Sequence, residues 1–175
     1  FKDRYKITPR EYRKRMEHNN KSVLQYISFK DRWIEMWNTV FGVTKEGKKA
    51  HRYILVNNKG MSVELSDFGA LVLSIYVLDK YGRKRDVVLG YDNLMDYYEQ
   101  NTGFGAYIGR NANRIAGAEV TIEDIKYLLD KNDNQNNLHS GFNRSHHKLY
   151  SVKNGKDDVC EFVQMERYSP HMEQG

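Results

Sequence analysis

The sequence predicts a mainly β protein, an antiparallel sandwich or barrel with a short helical appendage at its front. Three observations carry that reading. From Phe41 onward the strand-forming runs are short and separated by turn residues, and no run of helical period reaches a dozen residues. Met61 to Phe68 alternates, with Val63 and Leu65 on one face and Ser62, Glu64 and Ser66 on the other. Ala70 to Leu78 is a nearly continuous apolar run, the pattern of a strand covered on both faces.

The front of the chain is set apart by charge. Residues 1–21 hold eight Lys or Arg against three acids, a surplus equal to the +5 of the whole chain, so the remaining 154 residues are neutral. Thr8-Pro9-Arg10-Glu11 has the form of a helix start, with Thr8 as cap, Pro9 at the first helical position and Glu11 closing a capping box. A helix is expected from Pro9 to about Glu17, with Tyr12 and Met16 on one face and basic residues around the rest. Residues 1–20 therefore read as a basic helical appendage that needs a body to dock on. Residues 21–38 carry Tyr26, Phe29, Trp33 and Trp37 with no period of helix or strand, and read as a joining segment. Residues 39–175 form the body.

Within the body, His51 to Val56 and Met61 to Phe68 form a hairpin about Asn57-Asn58-Lys59-Gly60. Asp79-Lys80-Tyr81-Gly82 turns the apolar strand toward a further strand at Asp86 to Leu89. Glu119 to Ile122 and Ile125 to Leu129 flank a tight Glu123-Asp124 turn. Tyr150 to Lys153 and Val159 to Met165 flank Asn154-Gly155 and a short loop.

Length and composition bound the rest. A chain of 175 residues that is 39% hydrophobic and 29% charged, with two Pro, is one ordinary domain with room for a short appendage, and is not low-complexity. No apolar run approaches the about 18 residues of a membrane-spanning helix. With Phe1-Lys2-Asp3-Arg4 at the front and no apolar leader, the chain is expected in the cytoplasm and away from membranes. The one cysteine, Cys160, has no second thiol to pair with and reads as a small buried hydrophobe.

Two polar stretches lie between the strands, where binding groups concentrate. In Gly103 to Gly117 the first three glycines are spaced G-x-G-x-x-x-G without a surrounding βαβ pattern, which argues against a dinucleotide site. Asn113 and Arg114 offer amide and guanidinium donors in fixed planes, suited to paired sugar hydroxyls, although by composition alone such residues read first as structural. The second stretch, Asn132 to Phe142, is amide-rich and leads into His139, read either as a turn residue or as a hydrogen-bonding group near neutral pH. His146 and His147, read as neighbours in a strand, point to opposite faces, and no ligand cluster accompanies them, so no metal is expected.

Taken in order, Phe68-Gly69-Ala70, Asp86 to Asp92, Gly109-Arg110-Asn111-Ala112-Asn113-Arg114-Ile115, Asn137-Leu138-His139-Ser140-Gly141 and Ser169 to Gly175 resemble the N-terminal half of the aldose 1-epimerases, or galactose mutarotases. The resemblance runs from about residue 41 to residue 175. Departures are specific: the family's Leu-His-Gly-Gly is Leu-His-Ser-Gly here, its aromatic before Ala-Asn-Arg is Asn111, and its hairpin-turn glycine is absent at Glu123-Asp124-Ile125. The resemblance implies an antiparallel β-sandwich of galactose-mutarotase type, left incomplete in this chain. It also implies interconversion of the α and β anomers of a free hexose such as galactose or glucose, without metal or cofactor. There a carboxylate takes the proton of the anomeric hydroxyl while a histidine protonates the ring oxygen.

What carries over to this chain is substrate binding, by Asn113, Arg114 and His139. No catalytic residue carries over, since in the family the acid and base lie beyond the Ser-Pro…Gly motif that occupies residues 169–175, so the chain is expected to be inactive alone. A partner chain completing the sandwich is one expectation, and a non-catalytic carbohydrate-binding module is the alternative reading. Phe1 to Arg15 resembles the extreme C-terminal end of AraC-type transcription regulators, with its Phe…Tyr…Thr-Pro…Tyr-Arg pattern. That implies a remnant lacking nearly all groove-reading residues, so DNA binding is not expected.

Overall fold

The computed structural model describes residues 24–28, 33–100, 102–156, 161–170 and 173. The helix expected at Pro9 to Glu17, the AraC-like run and Cys160 lie outside the described residues.

Five strands form an antiparallel meander: β2 (Trp33–Val43), β3 (Lys49–Asn57), β4 (Ser62–Ser66), β5 (Leu71–Leu78) and β6 (Lys84–Asp86). A second antiparallel sheet is ordered β1 (Leu24–Ser28), β12 (Glu161–Glu166), β11 (Ser151–Lys156). Register places Met36, Leu55, Val63 and Ile75 in one cross-strand row and Tyr53, Leu65 and Val72 in the next. This apolar face shares a core with Val163 and Met165 of β12 and Val152 of β11, so the two sheets pack face to face. On the opposite face of the meander, Ala50, Leu71 and Leu73 pack with Phe68 and with Leu94 and Tyr97 of the one α-helix among the described residues, α1 (Leu94–Glu99). β5 is thus covered on both faces, as its apolar run predicts. Gly42 admits α1, because a Cβ there would meet the Leu94 Cβ at 2.7 Å. No helix among the described residues is long and apolar enough to cross a membrane.

The expected hairpins about Asn57 to Gly60 and Glu123-Asp124 are present, the latter joining β8 (Glu119–Ile122) to β9 (Ile125–Leu128). Four local expectations are corrected. Residues 24–28 and 33–38 are strand rather than aperiodic joining chain. β1 finds its partner only at residues 162–166, and β2 carries register shifts at Trp33/Glu35 and Val40/Gly42, which break the alternation a local reading depends on. β6 ends at Asp86 instead of running to Leu89, because the Asp86 carboxylate accepts the main-chain N–H groups of Ile75 and Val88. Asn154 and Gly155 lie inside β11 rather than in a turn, and Gly155 sits against the Phe162 ring of the paired strand. His146 and His147 occupy a 3-10 turn, Ser145–His147, and not a strand. Their rings therefore meet edge-on with centroids 4.6 Å apart.

The helix α1 was not anticipated by periodicity, being too short to show any. Its signal is the cap: Asn93 Oδ1 accepts from the Asp96 N–H at 3.1 Å and Asn93 Nδ2 donates to Asp96 Oδ2 at 2.6 Å.

Candidate functional site

The two polar stretches meet. Residues Arg114–Ile115 form the two-residue strand β7, and Asn137–Leu138 form β10, its antiparallel partner, with Arg114 opposite Leu138. That ladder brings Asn113 and His139 together. The His139 N–H donates to the Asn113 carbonyl at 3.0 Å, and the Asn113 N–H donates to His139 Nδ1 at 3.0 Å. A main-chain N–H only donates, so Nδ1 carries the lone pair and the ring proton sits on Nε2. The Asn113 bond thereby selects one tautomer of the uncharged His139 ring. Asn113 and His139 have φ of 61° and 51°, in the left-handed region that Asn and His tolerate better than most residues.

Three of the amides between Asn132 and Asn137, those of Asn132, Asn136 and Asn137, serve as scaffolding. Asn132 closes on its own loop, its Oδ1 accepting from the Leu138 N–H and its Nδ2 donating to the Leu138 and Gly141 carbonyls. Asn137, fully buried, donates to the Asp130 carbonyl at 2.9 Å and accepts from Asn111 Nδ2 at 3.1 Å. Asn136 Oδ1 accepts from the Gly117 N–H at 3.2 Å, tying the loop to the chain beyond β7. These amides satisfy main-chain groups that a non-repetitive loop leaves without ladder partners.

Two departures from the family pattern touch each other. Ser140 has φ 67° and no exposed surface. Its Oγ accepts from the Asn111 N–H at 2.9 Å and lies 3.0 Å from the Asn111 carbonyl and 2.9 Å from its Oδ1. Ser140 and Asn111, two of the positions at which the sequence departs from the pattern it resembles, are therefore hydrogen-bonded to each other, the serine buried and the asparagine half-buried.

Sequence reading missed three further participants. Asp133 accepts from Arg114 Nε at 2.6 Å across 19 positions, a pairing that no local sequence signal marks. Arg110 donates to the Ser169 carbonyl at 2.9 Å and also to that of Pro170, fastening the Ser-Pro segment to the first polar loop. Glu173 pairs with both terminal nitrogens of Arg167 at 2.7 Å, and its carbonyl accepts from Asn143 Nδ2 at 3.1 Å. Burial raises the Glu173 carboxyl, but the hydrogen bonds from Arg167 and Ser169 together hold it below its ordinary value.

Next to this cluster His146 is buried, and desolvation, then the charges of His147, Arg144 and His139, push its imidazole down to about 4.

These loops are carried on an antiparallel sandwich, and the sandwich itself defines a class. It superposes on the galactose 1-epimerase of Lactobacillus acidophilus with a TM-score of 0.66 at 20% identity, over 78% of this chain and 39% of that one. A GalM/aldose epimerase homologue from C. elegans gives 0.53 at 27% identity, over 57% and 30%. The fold is that of the galactose-epimerase sandwiches. The aldose 1-epimerase family model matches residues 51–175, and the chain belongs to that family. It is 32% identical over 145 residues to the galactose mutarotase of Rattus norvegicus, covering 81% of this chain and 40% of the rat protein. The aldose 1-epimerase of Escherichia coli K12 is 32% identical over 128 residues, covering 73% of this chain and 37% of that protein. The chain thus spans about 40% of the length of the curated relatives it matches.

Proposed function

We propose that this chain supplies the sugar-holding portion of an aldose 1-epimerase that interconverts the α and β anomers of galactose or glucose. The observation that supports it most is the pair of hydrogen bonds between Asn113 and His139, which sets Arg114 and the Nε2 donor of His139 on one loop junction. A pyranose presents adjacent hydroxyls, each both donor and acceptor. A planar guanidinium, a primary amide and an imidazole N–H brought to one junction match that pattern. Held in this way the ring is positioned but not opened. Opening needs a base at the anomeric hydroxyl and an acid at the ring oxygen, and this reading places both in the share of the domain that the chain does not span.

The test has two arms on one preparation. Titration with galactose reads binding, and polarimetry on freshly dissolved α-galactose reads the rate of anomer exchange. The expected result is saturable binding with no acceleration above the spontaneous rate. Acceleration would place acid and base within these residues, and absence of binding would defeat the reading altogether.

A further inference from the structure

We propose that Asp133 is a positioning residue for the sugar site, acting through Arg114. This rests on reading Asn113, Arg114 and His139 as the sugar-binding group. Arg114 stands on a strand of only two residues, and its side chain is 56% exposed, so packing does little to choose among its rotamers. Asp133 Oδ2 takes the Nε–H at 2.6 Å, and the Asp133 side chain is only 24% exposed. A guanidinium whose Nε–H is taken by a carboxylate has that edge occupied and presents the end-on pair of its terminal N–H groups to another acceptor.

The turn bearing Asp133 does not depend on that carboxylate. It is closed by main-chain bonds, Asp133 N–H to the Asn136 carbonyl at 3.1 Å and Asn136 N–H to the Asp133 carbonyl at 2.9 Å. Asn136 Oδ1 then fastens the turn to Gly117, beyond β7, so the carboxylate meets Arg114 from a fixed base. The side chain is therefore separable from the loop. Exposed ion pairs contribute little to stability, so the role left for this one is orientation.

Galactose affinity and thermal midpoint are to be measured on the full chain for the parent, Asp133→Asn, Asp133→Glu and Arg114→Lys, and for Asp133→Asn combined with Arg114→Lys. Asp133→Asn is expected to weaken galactose binding about tenfold while the midpoint stays within about 2 °C. Asp133→Glu, which keeps the charge, is expected to recover part of the affinity. In the Arg114→Lys background, which lacks the fork, Asp133→Asn is expected to change affinity by less than about twofold. Unchanged affinity in Asp133→Asn, or a loss of the same size in the Arg114→Lys background, overturns the proposal while leaving the sugar site standing. A parent chain that binds no galactose overturns the site reading and this proposal with it.

Discussion

Asn113 and His139, 26 positions apart, are joined by two hydrogen bonds, carbonyl to main-chain N–H and main-chain N–H to imidazole Nδ1, each 3.0 Å long. The second bond fixes the tautomer of His139. It requires an unprotonated Nδ1, so the neutral ring carries its proton on Nε2. Two-bond nitrogen–proton correlation on labelled protein at neutral pH is expected to show Nδ1 as the bare nitrogen of His139. A protonated Nδ1 would mean that the Asn113 bond does not form.

The Ser140–Asn111 unit predicts an ordering of variants. Ser140→Ala leaves Asn111 without its buried partner and keeps a Cβ at φ 67°, so stability should fall by about 1–3 kcal/mol. Ser140→Gly loses the same hydroxyl but relieves the left-handed strain, and should fall by about 1 kcal/mol less. Urea denaturation of the two variants checks the order, and equal losses would show that strain at residue 140 is negligible.

The β8–β9 turn predicts a gain. Glu123 and Asp124 have φ of 49° and 62°, the two-residue geometry that Asn-Gly and Asp-Gly favour. Asp124→Gly should stabilise the chain by about 1 kcal/mol and raise the midpoint by about 2–4 °C. A lower midpoint would show that Asp124 makes a contribution beyond the turn.

Acid should destabilise the fold in a defined window. The His146 imidazole is depressed from 6.5 to about 4, so between those values the unfolded chain binds a proton that the folded chain refuses. Its contribution is complete above pH 6.5, declines as pH falls, and is exhausted below about pH 4. The effect has an upper bound on the order of 3 kcal/mol. Glu173, held low by Arg167 and Ser169, works in the same direction below its ordinary pKa of 4.5. Denaturant midpoints taken from pH 7 to 4 should fall, and the fall should be shallower in His146→Leu. An unchanged slope in that variant would assign the acid sensitivity to other groups.

Local order in the chain made much of the fold legible. The alternation at Val63 and Leu65 and the apolar run to Leu78 are self-contained signals, and both match the structure. β1 was not legible, because its pairing with residues 162–166 is a property of the closed fold and leaves no turn nearby. Asn154-Gly155 misled for the opposite reason: a turn dipeptide serves as the gap beneath the Phe162 ring. At the site, the family resemblance rather than residue type singled out Asn113, Arg114 and His139, and Asp133 and the Asn111–Ser140 unit emerge only once β7 and β10 lie side by side.

The account turns on one sugar meeting the two loops at once. Main-chain amide shifts followed during a galactose titration test this most directly. The account predicts saturable shifts at Asn113, Arg114 and His139 with a common dissociation constant, while Glu123 and Asp124 at the β8–β9 tip stay fixed. Shifts spread over unrelated surfaces, or none that saturate at those three residues, would contradict it.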